Sequence, residues 1–198
     1  SAIIILLEIA FFFFFLFCCQ GDNVRDAIRM KQRTTNIQLK DVFDKSHFKQ
    51  VEAAFGRHYG LGLETCDING REIRSLCSTD CHPEFCRRVR RSKFGFQRCR
   101  QDRLRSLNIS IETGQPYITL CHAGIVLACI PVMDGDLPLG GLFFGKCVWE
   151  AFDQTLQADV QKRLRGLHIY EDEILDNLVR LPVVSARRIH EAAEFLYV

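Results

Sequence analysis

Cys121 to Val148 reads CHAGIVLACIPVMDGDLPLGGLFFGKCV, and the fold turns on this stretch. Two apolar runs, Ile125 to Met133 and Leu139 to Val148, flank Asp134-Gly135-Asp136. Apolar and β-branched residues favour strands. A glycine between two aspartates supplies the positive φ that a tight turn needs. The stretch therefore predicts a β-hairpin, preceded by a short strand over Tyr117 to Cys121.

A second turn lies upstream at Asn69-Gly70, where both positions tolerate positive φ. It predicts a strand over Leu61 to Asp67, with Leu61, Leu63 and Thr65 on one face, and a return strand over Arg71 to Leu76. Before it, Asp44 is placed to cap a helix whose stripe is Phe48, Val51, Phe55 and Tyr59, ending at Gly60. Between the two turns the chain is helical. Pro83 suits a first helical turn leading to Arg91. A longer helix over Gly95 to Thr113 puts Leu104, Leu107 and Ile111 on one face, and Gly114 closes it. After Asp153 the pattern is helical again. Pro182 interrupts it, and a last helix from Ser185 carries Ile189, Ala193 and Leu196 on one face. Two strand pairs around a helical excursion predict an α+β fold. We expect a PAS-like five-stranded antiparallel sheet with helices packed on one face, flanked by N- and C-terminal helices.

The chain has 198 residues, 47% of them hydrophobic, and a net charge of +2. That composition can bury a core and argues against global disorder. The charge is too near balance to mark a nucleic-acid footprint. The basic run Arg87, Arg88, Arg90, Arg91, Lys93, Arg98, Arg100, Arg103 and Arg105 has Asp102 among it and few aromatics. It reads as a solvated helical face, with no direct nucleic-acid binding.

Ala2 to Cys19 is apolar but for Glu8, and 18 helical residues span about 27 Å, near the lower limit for a bilayer. Basic residues follow the run and none precede it, which orients the rest toward the cytoplasm. Two readings stand: residues 1–20 are a transmembrane anchor to the inner membrane, or an artefactual leader. We divide the remainder into a linker helix at 21–38, a globular domain at 39–150, and C-terminal helices at 151–198, and expect the chain to be a fragment that continues past them.

The ten cysteines bear on chemistry. Cys81, Cys86, Cys99 and Cys121 have neither zinc-ribbon nor ferredoxin spacing. Even so, two of them fall in the first turns of neighbouring predicted helices and one at a strand end, so Cys86, Cys99 and Cys121 converge. Helix N-termini favour thiolates, and a thiolate cage with Cys81 or His122 as fourth ligand would hold zinc or an iron–sulfur cluster. The alternative is a set of buried thiols lining an apolar pocket. His122 contacts a ligand or metal, or serves the backbone beside Gly124. No Gly-x-Ser-x-Gly elbow, phosphate-binding loop or dinucleotide fingerprint is present, which disfavours an enzyme, although a Cys–His nucleophile pair needs only proximity in space.

Phe85-Cys86-Arg87-Arg88-Val89-Arg90, then Arg98-Cys99-Arg100, Cys121-His122-Ala123-Gly124-Ile125, Ile130-Pro131-Val132, and Leu139-Gly140-Gly141 with Gly145 resemble the PocR sensory domain. The resemblance covers roughly Leu39 to Trp149. It implies a PAS-like domain that binds a small hydrocarbon derivative, such as propanediol, and is attached to an output module: an AraC-type DNA-binding domain, a histidine kinase or a diguanylate cyclase. On this reading Cys86, Cys99, Cys121, His122, Phe144 and Lys146 face the ligand, and the protein is a homodimer; the alternatives are a cysteine-based metal or iron–sulfur redox sensor and a structural interaction or dimerisation domain. Two departures stand out. Leu127 lies where the family usually has an acidic residue, and Lys146 where it usually has Gln.

Overall fold

The computed structural model describes residues 38–76, 82–149, 153–167, 169 and 171–197. The apolar run at 2–19, the linker at 21–38 (but for its last residue), and Cys81 lie outside them. Among the described residues no helix is long and apolar enough to cross a membrane. Gln38–Asp134 with Pro138–Val198 forms one compact unit, which holds all that follows; the turn Gly135–Leu137 belongs to a second.

Helix α1 spans Leu39–Val42 and α2 spans Lys45–Tyr59. The Asp44 carboxylate accepts the backbone N–H groups of Ser46 and His47, both at 2.9 Å, and so caps α2. Gly60 closes the helix in the left-handed region, at φ 71°. Strand β1 follows at Glu64–Asp67. Next come α3 at Glu84–Arg91, α4 at Lys93–Thr113, β2 at Tyr117–Leu120, β3 at Val126–Asp134 and β4 at Leu137–Gly145. The chain then continues through α5 at Gln154–Leu164, α6 at Glu171–Leu178 and α7 at Ala186–Tyr197.

The sheet is antiparallel and four-stranded, in the order β1-β4-β3-β2. The expected fifth strand over Arg71 to Leu76 does not form. Glu72 makes a single bridge with Cys66, and the chain then turns, with Leu76 N–H donating to the Ile73 carbonyl at 3.1 Å. The Asp67 side chain tightens the preceding turn by accepting from Asn69 and Arg71. Glu72 is drawn inward to Arg90 and Arg103 instead of extending along an edge.

The second correction concerns layering. Helices cover both faces of the sheet, not one. Val126, Ala128 and Ile130 of β3, with Leu142 and Phe144 of β4, pack under α2 and α7 through Phe48, Phe55, Ile189 and Ala192. The alternate residues Leu127, Cys129 and Phe143, with Cys66, pack under Leu107 of α4. The reason is visible in β3 itself. Val126-Leu127-Ala128-Cys129-Ile130 is apolar without interruption, as expected for a strand buried on both sides. Gly141 lets α4 approach: a Cβ there would stand 2.7 Å from Leu107 Cδ1.

Two stripes shift accordingly. Val51 and Leu104 are exposed, and the inward face of α4 is Arg103, Ser106, Leu107 and Ser110. Arg103 and Arg90 are turned inward, so the basic run is not uniformly a solvated face. A further core closes one end of the sheet. Phe85 and Val89 of α3, Ala123 and Ile125 of the turn after β2, and Val160, Ile174 and Leu178 of α5 and α6 pack together there.

Candidate functional site

Cys86, Cys99 and Cys121 all pack against this end core, half-buried, from α3, α4 and the end of β2. The structure thus gathers three elements that the sequence places far apart. A charge on Cys121 would be felt at both Cys86 and Cys99. The expectation of helix-end thiolates fails. Burial pushes the Cys99 thiol up to about 12 and that of Cys121 up to about 11, with Cys86 raised further still. Helix α4 also begins earlier than expected, at Lys93, which moves Cys99 out of the first turn. The weak field of a helix end does not offset desolvation at that depth.

Cys121 is the least raised of the three. Its backbone N–H donates to the Ile125 carbonyl at 2.8 Å, and Gly124 N–H donates back to the Cys121 carbonyl at 2.8 Å. The tight turn that results points the N–H groups of Ile125 and Ala123 at the sulfur, which favours its charged form.

His122 sits in the same turn. Oδ2 of Asp102, on α4, lies 2.6 Å from both the backbone N and Nδ1 of His122. A carboxylate can only accept, so Nδ1 carries a proton, and the neutral ring then presents its lone pair at Nε2. The side chain is 9% exposed, and among the described residues Nε2 has no hydrogen-bond partner. Asp102 was legible only as a break in a basic run; nothing in the sequence announces its pairing across 20 residues.

Lys146 does not stand open to a ligand. It follows β4 at φ 54°, a left-handed conformation that costs a non-glycine residue about 1–3 kcal/mol. Its ammonium is buried and donates to Glu64 Oε2 at 2.9 Å. Arg103 Nη2 donates to Glu64 Oε1 at 3.1 Å and to Glu72 Oε1 at 2.9 Å. Arg90 Nη1 reaches Glu72 Oε1 at 2.5 Å, and His82 Nε2 lies 3.0 Å from the same oxygen. Three permanent cations thus meet two carboxylates, with the Arg103 guanidinium over the Phe143 ring at 5.8 Å. Although burial opposes ionisation, Lys146 and Arg103 bring the Glu64 carboxyl down to about 2, and Glu72 is held lower still by His82, Arg90 and Arg103. Lys146 is also the cation that acts most on Cys86, so the network borders the thiols.

Phe144 is placed elsewhere. It is fully buried, with its ring 5.3 Å from that of Phe55 under α2 and α7. Its neighbour Phe143 takes the α4 side, because successive strand residues face opposite ways. On the Phe144 side lies an open groove of about 900 Å³, lined by Phe43, Phe48, Ile130, Val132, Leu142 and Phe195. Sequence reasoning missed it because its walls come from both ends of the domain.

Comparison with known proteins adds one finding. The model of the sensory domain found in PocR matches residues 41–198, so the match runs on through the helices after Asp153. No curated protein and no solved structure matches the chain. The match takes in every described element but the start of α1, from the Asp44 cap to the last turn of α7. The chain belongs to the PocR sensory-domain family.

Proposed function

We propose that this is the effector-sensing domain of a bacterial signalling protein, PAS-like in plan. It binds a small hydrocarbon derivative, such as a short diol, beside Cys86, Cys99, Cys121 and His122. One observation carries the reading: a buried imidazole whose Nε2 has no partner among the described residues, held by Asp102 and standing beside Cys121. An unsatisfied buried acceptor costs about 1–3 kcal/mol and is recovered by a hydroxyl that donates to it. The apolar thiols would take the carbon skeleton.

Helix α4 supports a route outward. It carries Cys99 in its first half and Asp102 and Arg103 at its middle, and its C-terminal end is tied to α7. The Tyr197 hydroxyl donates to the Gly114 carbonyl, and Gln115 Nε2 donates to that hydroxyl at 3.1 Å. Effector binding would shift the balance between two settings of α4 and α7, and an output module beyond α7 in a dimeric full-length protein would read the change.

The test is thermal denaturation of the chain titrated with 1,2-propanediol and its three- and four-carbon relatives. The reading expects a saturable rise in Tm that His122→Ala abolishes. It fails if no member of the set raises Tm. It also fails if the rise survives His122→Ala and Cys86→Leu but vanishes in Val132→Trp, which would move the effector to the groove under α7.

A further inference from the structure

Asp102, Cys121 and His122 each bring one metal-ligating atom within 4.8 Å of the other two. The set is unlike the thiol cage expected from sequence. It mixes carboxylate oxygen, thiol sulfur and imidazole nitrogen, and two of its members come from adjacent positions of one tight turn. We propose that these three residues bind a single divalent transition-metal ion of the zinc class. The inference goes beyond the effector reading and stands or falls separately from it.

Four observations converge on it. The donor set suits a borderline-soft ion, since zinc takes thiolate, imidazole and carboxylate alike. Its charge also balances, because a carboxylate and a thiolate together neutralise a divalent cation. The Cys121-to-Ile125 turn, closed by the Cys121 N–H to the Ile125 carbonyl at 2.8 Å, holds Cys121 and His122 side by side against Asp102. Finally, the imidazole is 9% exposed. One nitrogen is bonded only to Asp102, and the other has no partner among the described residues. An orphaned buried polar atom in a native fold asks for an unseen ion or ligand.

The geometry needs only a small closure. Bonds of about 2.0–2.3 Å to a tetrahedral ion set donors roughly 3.3–3.8 Å apart, so the loosest pair would draw in by about an ångström. Nδ1 keeps its proton on the Asp102 carboxylate while Nε2 offers its lone pair to the ion, so only the Cys121 thiol proton leaves to solvent as the ion enters. Three protein ligands leave a fourth position. Cys99, three residues before Asp102 on the same face of α4, feels the charge on both Asp102 and Cys121 and is the next donor in line.

The experiment treats the full chain with a chelator, then titrates Zn²⁺ against a chromophoric competitor, with Co²⁺ as spectroscopic probe. One equivalent of Zn²⁺ should bind. Co²⁺ should bring a thiolate-to-cobalt charge-transfer band that Cys121→Ser removes, while Asp102→Asn and His122→Ala weaken Zn²⁺ at least tenfold. X-ray absorption at the zinc edge of the unaltered chain needs no variant to fold, and should show one or two sulfurs with nitrogen and oxygen. The inference is overturned by the absence of stoichiometric binding, or by a shell of three or four sulfurs. A cobalt band that survives Cys121→Ser but not Cys86→Ser would also overturn it. A Zn²⁺ titration that shows no binding, beside an intact Tm response to 1,2-propanediol, would sink the metal and leave the sensory reading intact.

Discussion

The Lys146 ammonium lies 2.9 Å from the Glu64 carboxylate across 82 residues of chain, and both are buried. The pair joins the first strand of the sheet to the residue just past the last. Removing one charge leaves the other uncompensated in a low-dielectric interior, which costs about 3–5 kcal/mol. Glu64→Gln should therefore lower the free energy of unfolding in urea by roughly that amount. Adding Lys146→Met should recover part of it. An additive double variant would show that the two do not act as a pair.

Acid should unfold this domain early. Glu64 and Glu72 ionise below the ordinary carboxylate range in the folded chain, Glu64 at about 2, so they contribute stability above pH 4.5 that is lost as pH falls toward 2. His82 acts in the same direction. Burial lowers its folded value below 6.5, so the unfolded chain takes up a proton first as pH falls. Urea midpoints measured from pH 7.5 downward should decline from about pH 6.5, then more steeply below 4.5. A flat profile down to pH 3.5 would contradict the network.

The contact between Gly141 and Leu107 gives a packing test. A Cβ at Gly141 would lie 2.7 Å from Leu107 Cδ1 and 3.1 Å from the Ile130 carbonyl. Gly141→Val should destabilise by about 1–3 kcal/mol through overpacking. Leu107→Ala in the same chain should relieve part of the strain, because its side chain is the nearer obstacle.

Tyr197 tests the tie between α4 and α7. Its hydroxyl bridges the Gly114 carbonyl and the Gln115 amide, while nearly half of the side chain is exposed. Tyr197→Phe should cost only about 0.5–1 kcal/mol. Amide exchange in the last turns of α7 should quicken while that in β3 stays unchanged. Equal exchange in both proteins would remove this link from the proposed route.

The local signals in the sequence carried far. Asp44, Gly60 and Gly114 punctuate helices through side-chain capping and positive φ, both properties of single residues. The β3–β4 hairpin is just as local. What failed depends on partners distant in the chain. Arg71 to Leu76 has the composition of a strand, but Glu72 answers to Arg90 and Arg103. Arg103 reads as one more solvated charge until Glu64 is known to face it. Cys86, Cys99 and Cys121 do pack against one apolar core, but among the described residues their sulfurs do not form a group within 4.8 Å. The roles of Asp102 and of the groove were not legible, because neither has a signature that survives separation in sequence.

The network around Glu64 also constrains how such a chain can change over generations. Each of Glu64, Glu72, Arg103 and Lys146 shares a partner with another member, so no single replacement keeps the balance of charge. Substitutions there should be tolerated mainly in compensating sets. A chain with Gln in place of Lys146 should therefore also differ at the position of Glu64 or at that of Arg103, so that positions far apart along the gene change together.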